Sequence, residues 1–152
     1  MPNWKRRRLI NYNYKNDGAY FITVCTFEKV NYFWKKDIYG DEEPYELTTI
    51  GQIVDDAIKT IPIRYSHVQI KKYVIMPNHV HMILEMQNSG TSLSTIMNQW
   101  KGLIARCSQQ YLFQRSYYDH IIRDDEDYAR IWNYIEDNPR KWNEDKYYIA
   151  TS

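Results

Sequence analysis

The stretch that most constrains the fold is Met76–Leu84, which reads Met-Pro-Asn-His-Val-His-Met-Ile-Leu. Apolar, β-branched residues flank it on both sides, and the Pro-Asn pair suits the centre of a tight turn, so a β-hairpin is predicted. Because side chains alternate along a strand, His79 and His81 point the same way, about 7 Å apart. Val80 and the alternate apolar residues after it point toward a core. One face of this strand is therefore expected to be buried, while the other carries two imidazoles.

The length of 152 residues favours a single domain spanning 1–152, with a basic N-terminal segment at 1–18. Charge is nearly balanced, with 20 Lys and Arg against 19 Asp and Glu. Bulk charge therefore does not indicate a nucleic-acid binder, and a basic surface must come from local clusters such as Trp4-Lys5-Arg6-Arg7-Arg8. The 15 Tyr, 5 Trp and 4 Phe supply core volume, and exposed rings can stack on unpaired bases.

Two further features bear on where the protein works. Cys25 and Cys107 lie in apolar surroundings without metal-ligand spacing, which predicts reduced core thiols of a cytosolic protein. No run approaches the ~20 apolar residues of a membrane span, and the N-terminus lacks an apolar signal core. We therefore expect a soluble cytoplasmic protein with no membrane partner.

The remaining patterns predict the order β-α-β-β-α-β followed by a third helix. This order is typical of the ferredoxin-like α+β fold, an antiparallel sheet with two helices on one face. The third helix is extra and is assigned to the open face of the sheet. The predicted elements are a strand at 20–27, a helix from a capping box at Thr49 to Pro62, hairpin strands at 68–76 and 79–86, a helix capped by Thr91 or Ser92, a strand at 117–123, and a helix capped by Asp124-Asp125.

On the third helix, Tyr134 and Asn138 are four residues apart and share a face. Tyr134 lies at the flank of the apolar stripe, so the core does not require it. Pro139 disfavours helical geometry at Asn138, which predicts that the helix ends there and that the amide turns outward. Two alternatives remain open from these residues alone: His79 and His81 on a solvated face, and Asn138 as the cap of a following turn.

Taken together, His79-Val80-His81 and Tyr134-Ile135-Glu136-Asp137-Asn138-Pro139 resemble the HUH single-tyrosine transposases, most closely the REP-associated tyrosine transposases. The resemblance runs nearly the whole length of the chain. It also includes the segments Arg7-Arg8-Leu9, Tyr20–Thr26, Met76–His81 and Ser116–Arg123.

The resemblance implies cleavage and rejoining of single-stranded DNA through a 5′-phosphotyrosine. Tyr134 is then the nucleophile, and His79, His81 and Asn138 ligate Mg²⁺ or Mn²⁺, with Mn²⁺ the better match for two imidazoles. Many mobile-element relatives carry Gln where this chain has Asn138. Protonation of the imidazoles is expected to abolish activity as pH drops through about 6.5.

The implied partner is single-stranded or hairpin DNA at palindromic repeats, bound by a monomer or homodimer. The cations predicted to contact its phosphates are Arg6, Arg7, Arg8, Lys101, Arg123 and Lys141. His120 is predicted to contact either DNA or the metal site. For His120, a structural role beside Tyr118 is an equal alternative.

Two other functions compete with this interpretation. A domesticated, non-catalytic hairpin DNA- or RNA-binding protein could use the same ferredoxin-like fold. A phosphoesterase that uses a metal-activated water could use the same histidines. The second is disfavoured here because the predicted site contains no carboxylate ligand.

Overall fold

The computed structural model describes residues 18–37, 45–87 and 90–150. The basic cluster Arg6, Arg7 and Arg8 lies outside these residues. Within them the chain forms four strands and three α-helices: β1 (Gly18–Cys25), α1 (Thr49–Arg64), β2 (Val68–Met76), β3 (His79–Met86), α2 (Leu93–Ser108), β4 (Tyr118–Ile121) and α3 (Asp125–Asp137). A short 3₁₀ segment, Pro139–Glu144, follows α3.

The sheet has the order β2-β3-β1-β4, and every neighbouring pair is antiparallel. This is the ferredoxin-like arrangement, so the predicted fold class is confirmed. The hairpin strands have the predicted bounds, and a two-residue turn joins them. β4 is shorter than the predicted strand at 117–123.

The sheet is covered on both faces. Val80, Met82 and Leu84 of β3 are fully buried on the side where α1 packs against β2 and α2. Helix α3 packs against β2 and β3 on the other side, where Lys72 forms an ion pair with Glu136. β3 is therefore buried along nearly its whole length, on both faces.

Two helix boundaries differ from the predictions. The N-cap of α1 is Thr48, one residue earlier than predicted, and its Oγ1 accepts from Gly51 N at 3.0 Å. Pro62 does not end this helix, because a proline in the last turn removes only its own N–H, and Tyr65 N still donates to Ile61 O at 2.9 Å. Ser92 caps α2 and Asp124 caps α3, both as predicted.

The two cysteines are unpaired, and only one fits the predicted core thiol. Cys25 is partly buried on β1, whereas Cys107 is exposed near the end of α2. No helix in the described ranges is long and apolar enough to cross a membrane.

Candidate functional site

The two histidines lie in the covered layer between the sheet and α3, the helix predicted for this face, so the alternative of a solvated face is excluded. His79 is fully buried and His81 is 2% exposed, and their ring centroids are 4.7 Å apart. Tyr147 and Trp142, from the chain after α3, pack on the His79 ring at centroid distances of 4.6 and 6.2 Å. The sequence pattern gave the direction of both side chains but not the cover over them.

Asn78, in the hairpin turn, determines which nitrogen of His79 is protonated. Its Nδ2 donates to the carbonyl oxygens of Tyr147 at 2.8 Å and Lys29 at 3.3 Å. Its Oδ1 is therefore the atom that faces His79 Nδ1, at 2.8 Å. A carbonyl oxygen only accepts, so Nδ1 carries the proton and Nε2 presents a lone pair.

His81 is held from β1. Its Nδ1 lies 2.8 Å from Thr23 Oγ1, on the strand residue directly opposite. As with His79, the hydrogen bond engages Nδ1 and leaves Nε2 facing the space between the sheet and α3. Such contacts fix ring orientation in histidines that bind metals.

Asn138 supplies a third inward-facing polar atom. Helix α3 ends at Asp137 with Asn138 as its C-cap, so the predicted end of the helix is confirmed, but the predicted backbone conformation of Asn138 was wrong. The residue stays in the right-handed helical region (φ −54°, ψ −48°) although Pro139 follows, because it starts the 3₁₀ segment. Its side chain is 5% exposed rather than turned outward. Nδ2 donates to the Tyr134 carbonyl at 2.7 Å, which leaves Oδ1 as the free atom.

The free atoms of these three residues share one property. His79 Nε2, His81 Nε2 and Asn138 Oδ1 are buried, and none has a hydrogen-bond partner in the described part of the chain. A buried acceptor left unpaired costs about 1–3 kcal/mol. Three of them from one predicted ligand set are accounted for if a cation binds there, so the residues present fit a divalent metal ion.

Burial keeps both imidazoles neutral. It lowers the pKa of His79 well below the usual value, and repulsion from His81 adds to the effect. Burial also lowers the pKa of His81 to about 3, with the charge of Lys146 contributing. The expectation that activity falls through pH 6.5 is therefore corrected, because neither imidazole takes up a proton near that pH.

A carboxylate that the sequence did not indicate lies beside the histidines. Ligand atoms of His79, His81 and Asp145 all lie within 4.8 Å of one another, and the Asp145 side chain is 4% exposed. Asp145 is one of 19 acidic residues and has no diagnostic spacing from the histidine pair, so no sequence signal singled it out. Its presence removes the argument that the site contains no carboxylate.

Tyr134 projects from α3 at the edge of this cluster. Its ring meets His81 at a centroid distance of 5.3 Å and Phe21 edge-on at 6.2 Å, and 42% of the side chain is exposed. Burial of the remainder, followed by the negative charge of Asp145, raises the pKa of its phenol. The side chain is thus partly accessible, and its phenol is protonated at neutral pH.

Two clefts meet at Tyr134. One, of about 290 Å³, is lined by Tyr134, Asn138, Lys141, Asp145 and Lys146 among others. The other, also about 290 Å³, is lined by Tyr134, Phe21, Tyr118, His120 and Arg130 among others. The tyrosine therefore stands between a polar, charged cleft and one with aromatic walls.

The remaining predicted residues occupy different surroundings. Lys141 is exposed in the polar cleft, and Arg123 is exposed after β4. The ammonium of Lys101 is half-buried and donates to the carbonyls of Gln114 and Arg115, away from this site. His120 Nε2 lies 2.8 Å from Asp127 Oδ2 on α3, so it faces the aromatic cleft and not the metal ligands. Their contacts with DNA stay predictions.

The fold and the site together define a class, a ferredoxin-like α+β protein in which two strand-borne histidines face a tyrosine on a helix. The family model described as "Transposase IS200 like" matches residues 45–138, a range that contains His79, His81, Tyr134 and Asn138. The chain belongs to the IS200-like transposase family.

The chain is also similar to one known protein and to two solved structures. An uncharacterised protein of Haemophilus influenzae is 31% identical over 170 residues, covering 93% of this chain and 91% of its own. The solved structure of a REP-associated tyrosine transposase bound to a REP hairpin has a TM-score of 0.67 at 22% identity, and the match covers 89% of this chain and 74% of that one. A Deinococcus radiodurans protein assigned as a transposase has a TM-score of 0.50 at 17% identity over 86% of this chain and 96% of its own. At these identities the two structures bear on the fold.

Proposed function

We propose that this transposase is a metal-dependent endonuclease and strand transferase that acts on single-stranded DNA flanking a hairpin, with Tyr134 as nucleophile. The observation that carries the proposal is the position of Tyr134, an accessible tyrosine whose ring contacts His81 beside three unpaired, buried acceptor atoms. A core-packing role would not require an exposed hydroxyl at the junction of two clefts.

In the proposed reaction, the Tyr134 hydroxyl oxygen attacks the scissile phosphorus. The bond from phosphorus to the 3′ oxygen breaks. The phenol loses its proton as it attacks, and the 3′ oxygen takes up one proton to leave as a free 3′-OH, so protons balance. The downstream strand remains joined to Tyr134 through its 5′ phosphate. Attack by a 3′-OH on this link reverses the step and rejoins DNA, so no nucleotide cofactor is consumed.

Because the pKa of the Tyr134 phenol is raised, the site must stabilise the phenolate that develops during attack. A phenol that is protonated at neutral pH is a weak nucleophile unless its developing anion is stabilised. His79, His81 and Asn138 would hold a divalent ion, Mg²⁺ or Mn²⁺, which neutralises the scissile phosphate and orients it for in-line attack. Lys141 and Lys146 line the same cleft and attract the phosphate backbone.

The aromatic cleft suits the unpaired flank of the hairpin. Phe21 and the exposed Tyr118 lie beside Tyr134, with ring centroids of this pair 6.3 Å apart. Aromatic faces stack unpaired bases at about 1–3 kcal/mol each, without demanding a particular sequence. A single strand lying across Tyr134 would then reach the polar cleft with its phosphates.

Asp145 gives a specific reason to weigh a second candidate, a hydrolytic phosphoesterase in which water rather than Tyr134 attacks. A carboxylate beside the histidines is a common component of hydrolytic sites. The two functions differ in one product, because only the tyrosine mechanism leaves DNA covalently attached to the protein.

Tyr134→Phe separates the candidates. A hairpin DNA with randomised single-stranded flanks, labelled at its 3′ end, is incubated with Mn²⁺ or Mg²⁺ and resolved on a denaturing gel. We expect a protein–DNA band with the unmodified protein, none with Tyr134→Phe, and no band in excess chelator. Binding of the same DNA should be retained by Tyr134→Phe, whose free energy of unfolding should change by less than about 1 kcal/mol.

Tyr118→Phe is the matched control, because Tyr118 is an exposed tyrosine bordering the same cleft. It should form the adduct. An adduct in Tyr134→Phe, or peptide mapping that places the DNA on Tyr118, would contradict the assignment. Cleavage without any adduct would favour the phosphoesterase.

A further inference from the structure

We infer that Asp145 is a fourth protein ligand of the metal site, so that the segment after α3 completes a centre of two imidazoles, one amide oxygen and one carboxylate. The inference rests on the proposed function, since it concerns the ion that the site would hold. Asp145 lies beyond residues 45–138, the range matched by the family model.

The first argument comes from hydrogen-bond chemistry. Asp145 Oδ2 lies 3.6 Å from His79 Nε2. The Asn78 contact assigns the His79 proton to Nδ1, so Nε2 presents a lone pair toward the carboxylate. Two acceptors therefore face each other in a buried space. This pair is unfavourable by itself, and a cation between the two atoms makes it favourable.

The second argument is that the structure holds Asp145 in place by its other oxygen. Oδ1 accepts from the backbone N–H of Tyr147 at 2.9 Å, which leaves Oδ2 free to face the histidine. Trp142, three residues earlier, is fully buried, and its Nε1 donates to Asp37 Oδ1 at 2.9 Å. The carboxylate thus sits on an anchored segment rather than a loose end of the chain.

The third argument concerns spacing and charge. Ligand atoms at about 2.1 Å from one hard divalent ion lie roughly 3 Å apart when adjacent and 4 Å apart when opposite. The described atoms of His79, His81 and Asp145 lie within 4.8 Å of one another, close to that range. Three neutral ligands would leave both positive charges of the divalent ion without a counter-charge from the protein, whereas Asp145 supplies one negative charge.

The alternative is that Asp145 is a hydrogen-bond partner that orients His79. The two roles predict opposite effects of Asp145→Asn in the absence of metal. If the carboxylate orients His79, Asp145→Asn removes a hydrogen bond and should destabilise the metal-free protein. If the carboxylate is a metal ligand that faces a lone pair, Asp145→Asn should not destabilise the metal-free protein, because the new amide Nδ2 can donate to His79 Nε2.

The experiment measures Mn²⁺ binding to the full chain by electron paramagnetic resonance, which reports the free ion and needs no DNA or turnover. We expect Asp145→Asn to weaken Mn²⁺ affinity at least tenfold while its urea midpoint in chelator stays equal to or above that of the unmodified protein. Glu144→Gln is the matched control, since it removes an exposed acidic charge one residue away and should leave the affinity unchanged. Asp145→Ser is a second variant, expected to lose the same affinity if Asp145→Asn folds poorly.

The outcomes distinguish this inference from the proposed function. The role of Asp145 as fourth ligand would be overturned if both Asp145 variants lost less than tenfold in Mn²⁺ affinity. The proposed function would still stand if His81→Gln abolished Mn²⁺ binding and the DNA adduct still required metal. An equal loss in Glu144→Gln would also overturn it, because the effect would then be general electrostatics. Absence of Mn²⁺ binding to the unmodified protein, together with an adduct that forms in chelator, would overturn both.

Discussion

At the scale of single residues, the candidate site buries polar atoms that have no hydrogen-bond partner within the described ranges. Burying an acceptor without a partner is unfavourable, yet His79, His81 and Asn138 each use one polar atom for orientation and leave the other free. The arrangement is preorganised, since the orienting contacts come from the protein and not from a ligand. This is the expected design for a site whose geometry must be set before its substrate binds.

The buried imidazoles give a prediction about stability and pH. In the folded protein their pKa values are lowered, to about 3 for His81, whereas in the unfolded chain they are near 6.5. Between these values the unfolded state binds more protons, so the free energy of unfolding should fall as pH drops below about 6.5. The slope is at most about 1.4 kcal/mol per pH unit for each imidazole.

Urea unfolding in chelator, from pH 7.5 to pH 4.5, measures this slope. Carboxylates also titrate in the lower part of the range, so the comparison between variants is the diagnostic. His81→Gln should have a shallower dependence than the unmodified protein. Equal slopes for the two proteins would show that burial does not lower the pKa of His81.

At the scale of elements, the β2–β3 turn joins the histidine strand to the segment after α3. Through one amide, Asn78 contacts His79, Lys29 and Tyr147. The turn needs no left-handed residue at this position, since the positive φ values of the described non-glycine residues fall at Glu28, Lys29 and Gln109. Asn78 therefore matters through the hydrogen bonds of its side chain and not through an unusual backbone conformation.

Asn78→Ala should therefore be costly. It would leave two carbonyls and an imidazole N–H without their partner in a largely buried place, which we expect to lower the free energy of unfolding by about 2–4 kcal/mol. Asn133→Ala, on the exposed side of α3, should change it by less than about 0.5 kcal/mol. Denaturant unfolding of the two variants checks the prediction, and equal stability would mean that water replaces the Asn78 amide.

The elements also indicate how far sequence reasoning reaches. The hairpin, the order of the elements along the chain and the caps Ser92 and Asp124 follow from local patterns, because alternation, turn residues and capping side chains are short-range effects. The cover over His79 comes from Trp142 and Tyr147, more than sixty residues away. Long-range packing of this kind leaves no periodic trace, and for the same reason Asp145 was not predicted.

At the scale of the whole molecule, one chain contains every residue of the candidate site. Tyr134 contacts His81 of its own chain, through α3 docked on β2 and β3. The metal ligands and the tyrosine therefore need no second subunit. We expect the protein to act as a monomer on DNA, with Tyr134 working in cis.

Mixing two inactive variants tests this arrangement. Tyr134→Phe lacks the proposed nucleophile and His79→Ala lacks a proposed metal ligand, so a mixture regains adduct formation only if subunits share sites. We expect no adduct above the sum of the separate variants, measured on the 3′-labelled hairpin DNA. Recovery of the band would mean that α3 exchanges between chains and that the active species is a dimer.

The edge position of Tyr134 has an evolutionary consequence. Its ring contacts Phe21 and His81, and a phenylalanine at this position would lack only the hydroxyl. Under the proposed mechanism, a single mutation from Tyr to Phe would abolish strand cleavage while the fold and the DNA-binding surface persist. Such a descendant would still bind its hairpin DNA without transferring it, so a transposase and a DNA-binding host protein would differ by one base change.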